Sequence, residues 1–408
     1  MVRVLFATNP GTISHLNPLI GPAQRLRAAG HTVAFVATTA GRAAELAPYD
    51  FNVLRTEREQ PKWAPPSTGQ TSTSQMGWYD NDDQVREALR QTMLHAVDVL
   101  VEDIRALVRS FRPDVMAIDC VTYAGMIAAA LEKVPCIGID MALKTLAPPG
   151  LDFRFARIVR SIEREIAEVF ARYDLQPKFC LMECLSPYEN VVFSTKALVG
   201  NVPKSTRLVG PSLPSGARGD VPSAFPWDRI DPARPLVYVA LGTLVWKMRG
   251  DVFPMVAAAS RGLGVQVVMG VGQAQVASDD PHVIAVPYAP QLELLAKAAA
   301  FVTHGGGSSV METLNAGVPM ILLPTMLDSP VQAHYVTASG CGLVIEPTAI
   351  TERSLRAALQ AVLAPDGGYR ANALRIQADY RAHDGAALLA EALLERASAG
   401  HDEAVWRR

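Results

Sequence analysis

The sequence predicts an α/β protein built as two parallel-sheet domains in tandem, and three observations carry that reading. Short β-rich apolar runs alternate with helical patterns along most of the chain. The rhythm stops where Pro211, Pro214, Gly216, Gly219, Pro222, Pro226, Pro232 and Pro235 interrupt regular structure, and it then starts again. The 408 residues, 49% hydrophobic and 19% charged, are enough for two ordinary cores and too apolar for disorder.

Each element follows in turn. Residues 2–8 form a first strand closed by Asn9-Pro10-Gly11, a helical pattern runs over 15–29 to Gly30, and 31–37 is the next strand. Strand, helix and strand at this spacing make a right-handed βαβ unit. The period repeats at 114–119, the small-residue helix 123–131 and the strand 135–139, so residues 1–210 form one doubly wound domain. Between them, residues 56–83 are rich in Pro, Ser, Thr, Gln and Gly yet hold Trp63, Trp78 and Tyr79. That stretch is too long and polar for a plain connection and is expected to be a mobile binding loop; a surface loop with incidental aromatics is the alternative.

Residues 211–233 are the interdomain linker, and 234–385 the second domain, with strands expected at 236–241, 265–269, 283–286, 301–302 and 319–323. An amphipathic helix over 384–397 ends the pattern, and segment 386–408 is expected to pack back on the first domain.

Charge and cysteine usage exclude several classes. Thirty-eight Lys and Arg against 40 Asp and Glu give a net charge of −2, which disfavours nucleic acid and anionic lipid as partners. The first apolar run is too brief for a signal peptide and nothing is long enough to span a membrane. The odd count of five cysteines fits a reducing, cytoplasmic setting rather than a disulfide framework. Cys180 and Cys184, four apart, are expected to share a helix face and to pack rather than bind metal.

Two constellations carry chemistry. In residues 301–312 a buried strand ends in His304-Gly305-Gly306-Gly307, followed by a helix that opens on Ser308 and Ser309 and carries Glu312. Exposed amides and the helix dipole make such a start an anion site suited to a diphosphate. His304 can donate to a phosphate oxygen and Glu312 can accept both hydroxyls of a ribose. The competing reading is a tight turn with Ser308 or Ser309 as N-cap. The other constellation is His15 after the first strand and Asp119 at the end of the strand 115–118, two ends of one sheet edge; a turn histidine and a helix-capping aspartate are the alternative.

The run Tyr288-Ala289-Pro290-Gln291, His304-Gly305-Gly306, Ser309, Glu312, Gly317-Val318-Pro319, Pro324 and Asp328 resembles the nucleotide-sugar box of family 1 glycosyltransferases of the GT-B fold. The resemblance extends to Ser14-His15-Leu16-Asn17-Pro18-Leu19, Arg112-Pro113-Asp114 through Asp119, Val209-Gly210-Pro211 and Leu241-Gly242-Thr243, and is strongest to bacterial natural-product members. It implies two Rossmann-like domains facing across a cleft, the first holding acceptor and the second donor. It implies that the donor base stacks on Tyr288 with Gln291 at its border, that the phosphates meet His304, Gly306, Ser308, Ser309 and Thr243, and that Glu312 takes the ribose.

Asp328-Ser329 stands where the family's usual pair is Asp-Gln, which points away from glucose towards another hexose or a deoxysugar. The resemblance further implies an inverting transfer in which His15 is the base and Asp119 its partner. Asp80-Asn81-Asp82 has the spacing of the metal motif of the other major glycosyltransferase fold, but it follows no apolar strand and reads as a solvated cluster.

The expected function is therefore metal-independent transfer of a sugar from an NDP-sugar co-substrate, UDP- or dTDP-linked, to a small, largely apolar acceptor, with no further cofactor. Trp63, Trp78 and Tyr79, the segment 116–141 and the helical stretch 153–173 are expected acceptor walls, and pairing of two copies is left open. A non-catalytic partner of another transferase and a sugar-nucleotide epimerase are the competing functions. A nicotinamide dehydrogenase is disfavoured because the turn after the first strand lacks G-x-G-x-x-G.

Overall fold

A computed structural model of the chain describes residues 1–9, 11, 13–61, 81–216, 218, 224–276, 278–325, 328–400 and 406. The described chain divides into two compact units, one of residues 1–193, 201–219 and 384–408, the other of 194–200 and 220–383. The second unit thus ends two residues before the expected boundary, and residues 211–219 of the expected linker go with the first.

The first unit is built on a seven-stranded parallel sheet of β1 (Arg3–Ala7), β2 (Thr32–Ala37), β3 (Asn52–Arg55), β4 (Val115–Asp119), β5 (Cys136–Asp140), β8 (Glu189–Val192) and β9 (Thr206–Leu208), with β6 (Phe179–Cys180) and β7 (Glu183–Cys184) forming a separate antiparallel hairpin. The order is β3-β2-β1-β4-β5-β8-β9. All five residues of β4 and of β5 are buried, as expected for strands covered on both faces. The chain winds outward in one direction from β1 and in the other from β4, so the sheet has its switch point between these neighbours, where Ala7 pairs with Ile118.

The first helix begins later than the sequence pattern suggests. Ile13–His15 is a 3-10 turn, and the α-helix proper is Asn17–Ala28, with Pro18 in its first turn where a missing N–H costs nothing. Cys180 and Cys184 do not share a helix face: they lie on the two strands of the hairpin, Cys180 opposite Glu183 and Cys184 opposite Phe179. An i, i+4 spacing suits a helix and a short hairpin equally, and here the hairpin wins. The stretch 153–173 is two helices, Arg154–Ser161 and Glu163–Ala171, broken at Ile162. The final helix, Gly385–Ala399, lies on Asn17–Ala28 with no room for side chains at the crossing: a Cβ on Gly21 would meet Ala386 at 3.0 Å, and one on Gly385 the Pro211 carbonyl at 2.5 Å.

The second unit holds a six-stranded parallel sheet of β10 (Leu236–Ala240), β11 (Gln266–Gly270), β12 (Val283–Val286), β13 (Ala298–Thr303), β14 (Met320–Leu322) and β15 (Gly342–Val344), ordered β12-β11-β10-β13-β14-β15. Its switch point lies between β10 and β13, where Ala240 pairs with Thr303 and the rings of Tyr238 and Phe301 stack 4.8 Å apart. No described helix is long and apolar enough to cross a membrane.

Candidate active site

In open parallel sheets, ligands bind beyond the carboxyl ends of the strands at the switch point. His15 and Asp119 in the first unit, and Thr243 and the turn of His304 in the second, end or follow strands that flank the switch point.

In the first unit, β1 runs into Asn9 and then the turn that carries His15, while Asp119 is the last residue of β4, its neighbour. His15 Nδ1 and Asp119 Oδ2 are 2.5 Å apart. The carboxylate is nearly enclosed, 3% exposed, while the ring is 20% exposed. Asp119 Oδ2 also accepts the Asn9 N–H at 3.3 Å and Oδ1 accepts the Val121 N–H at 3.2 Å, so three donors among the described residues surround it. Burial alone would raise this carboxyl, but the His15 ring and Lys144 more than offset burial and hold it below the ordinary carboxylate range. An ionised partner at Nδ1 requires the proton there, which leaves Nε2 as the acceptor nitrogen of the neutral ring.

Three charged groups near this pair escape a sequence reading. Lys144 Nζ lies 2.5 Å from Glu183 Oε1, both largely buried. Burial raises the Glu183 carboxyl to about 7, with Lys144 opposing and Asp140 adding to the rise. Arg42 of the helix Ala40–Leu46 is buried as well. No local motif announces any of them, because only the fold brings them to Asp119.

In the second unit the turn after β13 has a conformation that only its glycines allow. Gly305 has φ +84°, and a Cβ on Gly306 would sit 2.7 Å from His304 Nε2. From the other side, Gly242, after β10 and with φ +69°, would place a Cβ 2.5 Å from His304 Cε1. The imidazole is thus sandwiched between two backbone segments, and the glycines are required for its seat. Burial pushes the ring down to about 4 against the pull of Asp328, so it is neutral near pH 7, and Nδ1 is buried without a hydrogen-bond partner among the described residues.

The helix Gly307–Ala316 has Gly306 at its N-cap and no side-chain cap, contrary to the reading of Ser308 or Ser309 as N-cap. The first N–H groups of a helix have no partner within the helix itself. Thr243 is exposed in the first turn of Gly242–Arg249. Glu312 is buried, and Gln291, at the start of Gln291–Leu295, donates from Nε2 to Glu312 Oε2 at 2.5 Å and to Ser309 Oγ at 3.4 Å. Tyr288, just beyond β12, is 40% exposed, unusual for so large an apolar ring. Asp328 is at the N-cap of Ser329–Ala338 but makes no capping bond, and Ser329 is buried against Gly305.

Three expected residues, Trp63, Trp78 and Tyr79, lie outside the described residues, as does Asp80. Of the remaining acidic cluster, Asn81 caps the helix Asp82–Leu89 by accepting from Asp83 and Gln84, and Asp82 pairs with Arg154 at 2.7 Å. Met116 and Met126 are fully buried core. Met93 and Met182 pack in the same buried way, with Leu89, Leu94, Tyr123, Val159, Ile162 and Ile166 around them.

Two Rossmann-like parallel-sheet units in tandem are the GT-B fold. Residues 221–384 match the UDP-glucoronosyl and UDP-glucosyl transferase family. The chain is similar to NDP-glycosyltransferase YjiC of Bacillus subtilis (strain 168), 29% identical over 294 residues that cover 68% of this chain and 73% of that protein. It is 25% identical over 422 residues to 4'-demethylrebeccamycin synthase of Lentzea aerocolonigenes, covering 94% and 96%. The fold superposes on the solved glycosyltransferase VinC in complex with DTDP with a TM-score of 0.69 at 22% identity, covering 98% of this chain and 100% of that one. The chain is a glycosyltransferase, and it resembles bacterial natural-product members of that class.

Proposed function

We propose that the chain is an inverting, metal-independent glycosyltransferase that moves a sugar from a dTDP- or UDP-sugar to a hydroxyl of a small, largely apolar natural product. The observation that carries this reading is the 2.5 Å contact of His15 Nδ1 with the buried Asp119 carboxylate at a sheet switch point, which leaves Nε2 as a base. The acceptor O–H gives its proton to Nε2 as its oxygen attacks the anomeric carbon. Asp119 stabilises the imidazolium that forms. The bond from that carbon to the diphosphate breaks in line, which inverts the centre, and the electron pair leaves with the nucleotide.

In the second unit the uncapped amides of Gly307–Ala316, the hydroxyls of Ser308 and Ser309, Thr243 and neutral His304 would receive the diphosphate charge. Glu312, aligned by Gln291, would take the ribose, Tyr288 would stack on the base, and Asp328 with Ser329 would meet the sugar. A dTDP donor is supported by VinC's complex with DTDP, and a natural-product acceptor by the likeness to 4'-demethylrebeccamycin synthase. All five cysteines are free, which fits action in a reducing cytoplasm.

A thermal-shift panel of UDP- and dTDP-sugars identifies the nucleotide, since a bound donor stabilises the folded state. His15→Ala should abolish transfer yet keep NDP binding; a fully active variant would refute the base. EDTA should leave turnover unchanged, and strict dependence on a divalent cation would contradict the mechanism. Donor incubated without acceptor should show no isomerised sugar, which separates transfer from epimerisation.

A further inference from the structure

We propose that Arg42 is a positioning residue for the His15–Asp119 pair, acting through the Asn9 backbone; the inference rests on the reading of His15 as base. Arg42 lies in the helix after β2 and is 1% exposed. Its Nη1 donates to Glu45 Oε2 at 2.7 Å, an i, i+3 pair that could form in water, because the Glu45 side chain is 33% exposed. Pairing with Glu45 therefore does not explain why the guanidinium is turned inward at the cost of its hydration. The other arm does: Nη2 donates to the Asn9 carbonyl at 2.5 Å.

Asn9 in turn donates its N–H to Asp119 Oδ2, the oxygen that meets His15 Nδ1. The Asn9 side chain accepts from Gly11 N at 2.8 Å, which braces the same loop. The strand-end residue that supports the carboxylate is thus clamped at its carbonyl by Arg42. A rigid planar fork that can serve Glu45 and Asn9 together suits arginine and not lysine. Asp119 and Arg42 also attract each other, so the guanidinium adds positive charge beside the pair.

Among the described residues, Arg42, Lys144 and Glu183 interact with Asp119, while Glu45 pairs with Arg42 and Asp140 acts on Glu183. Removing the guanidinium makes an imidazolium at His15 easier to form, so the acid limb of the kcat/KM profile moves to higher pH. Removing Glu45 does the reverse.

The test measures pH–rate profiles of Arg42→Met and Glu45→Gln beside His15→Ala, with melting and NDP binding as controls. Arg42→Met should lower kcat about tenfold or more at unchanged donor KM and move the acid limb to higher pH. Glu45→Gln, at a partly exposed site and so expected to fold, should move the limb downward. A limb unmoved or lowered in Arg42→Met, or unmoved or raised in Glu45→Gln, overturns the proposal even if kcat falls. If Arg42→Met does not fold, the direction in Glu45→Gln decides. An active His15→Ala would instead sink the base itself, a result separable from either.

Discussion

Replacing Asp119 by asparagine would exchange one oxygen for an NH2 group at the centre of the first unit, and the structure sets the consequences. The carboxylate serves three donors: His15 and the Asn9 N–H at Oδ2, and the Val121 N–H at Oδ1. An amide has one oxygen. If that oxygen stays towards His15 and Asn9, the NH2 faces the Val121 N–H; if it turns, the NH2 faces His15 and Asn9. Either way a buried N–H loses its acceptor, which costs about 1–3 kcal/mol. For a unit of this size that lowers the melting temperature by about 2–4 °C per kcal/mol.

The catalytic loss is larger. With no negative charge at Nδ1 the imidazolium is not stabilised, and an NH2 turned to the ring places the proton on Nε2, the wrong tautomer for a base. General-base catalysis contributes about 10²–10⁴-fold, so kcat should fall within that range while donor KM stays put. Release of NDP per folded enzyme, calorimetric NDP binding and a melting curve measure all three quantities. Asp119 is held below its ordinary value, so its stabilising contribution is present at neutral pH and is lost as pH falls through its folded pKa, below the usual carboxylate range. The asparagine variant should lack that acid-side loss. A variant that keeps kcat within about threefold of the parent would refute the assignment of Asp119 as partner to a base.

Other perturbations follow from the same geometry. Gly306→Ala puts a methyl 2.7 Å from His304 Nε2, so the ring must shift; donor KM should rise about tenfold while the melting of the first unit is unaffected, as separate donor titration and proteolysis would show. Gly385→Ala sets a Cβ 2.5 Å from the Pro211 carbonyl and should destabilise the first unit by about 1–3 kcal/mol in chemical denaturation. His304 is held neutral down to about 4, so it contributes stability above its unfolded value of 6.5 that is lost as pH falls towards 4. NDP affinity should accordingly show no titration from His304 between about pH 6 and about pH 8, which calorimetry would check.

Repetition made the architecture legible. Apolar runs such as Val4-Leu5-Phe6 and Val237-Tyr238-Val239 are buried on both faces, so they stand out without any neighbour in sequence. The strands β3, β8, β9 and β15 are not legible because they are short and, in β3, β9 and β15, only partly buried, and pairing within the sheet, a long-range event, makes them strands. The glycine turn and His304 could be read because close backbone approach demands glycine in sequence as well as in space. Arg42, Lys144 and Glu183 could not. An arginine in a short helix and a lysine in a loop carry the pattern of surface residues, and only parallel pairing of distant strands turns them towards Asp119. The hairpin of Phe179–Cys180 with Glu183–Cys184 shows the converse, where the four-residue spacing of Cys180 and Cys184 satisfied the helical period without being helical.

The path of the chain through its units has a practical consequence. Because the first unit is closed by residues 384–408, with Arg25 paired to Asp384 and the glycine contacts at residues 21 and 385, the bulk of the second unit, residues 220–383, is in effect an insertion inside the first, with 194–200 a smaller one. Hybrid enzymes that exchange donor specificity should therefore be spliced twice, near 219 and near 383, and should retain the parental tail. A single crossover would join Asn17–Ala28 to a foreign Gly385–Ala399, and the chimera would fail through a mismatched helix seam whatever sugar it was built to accept.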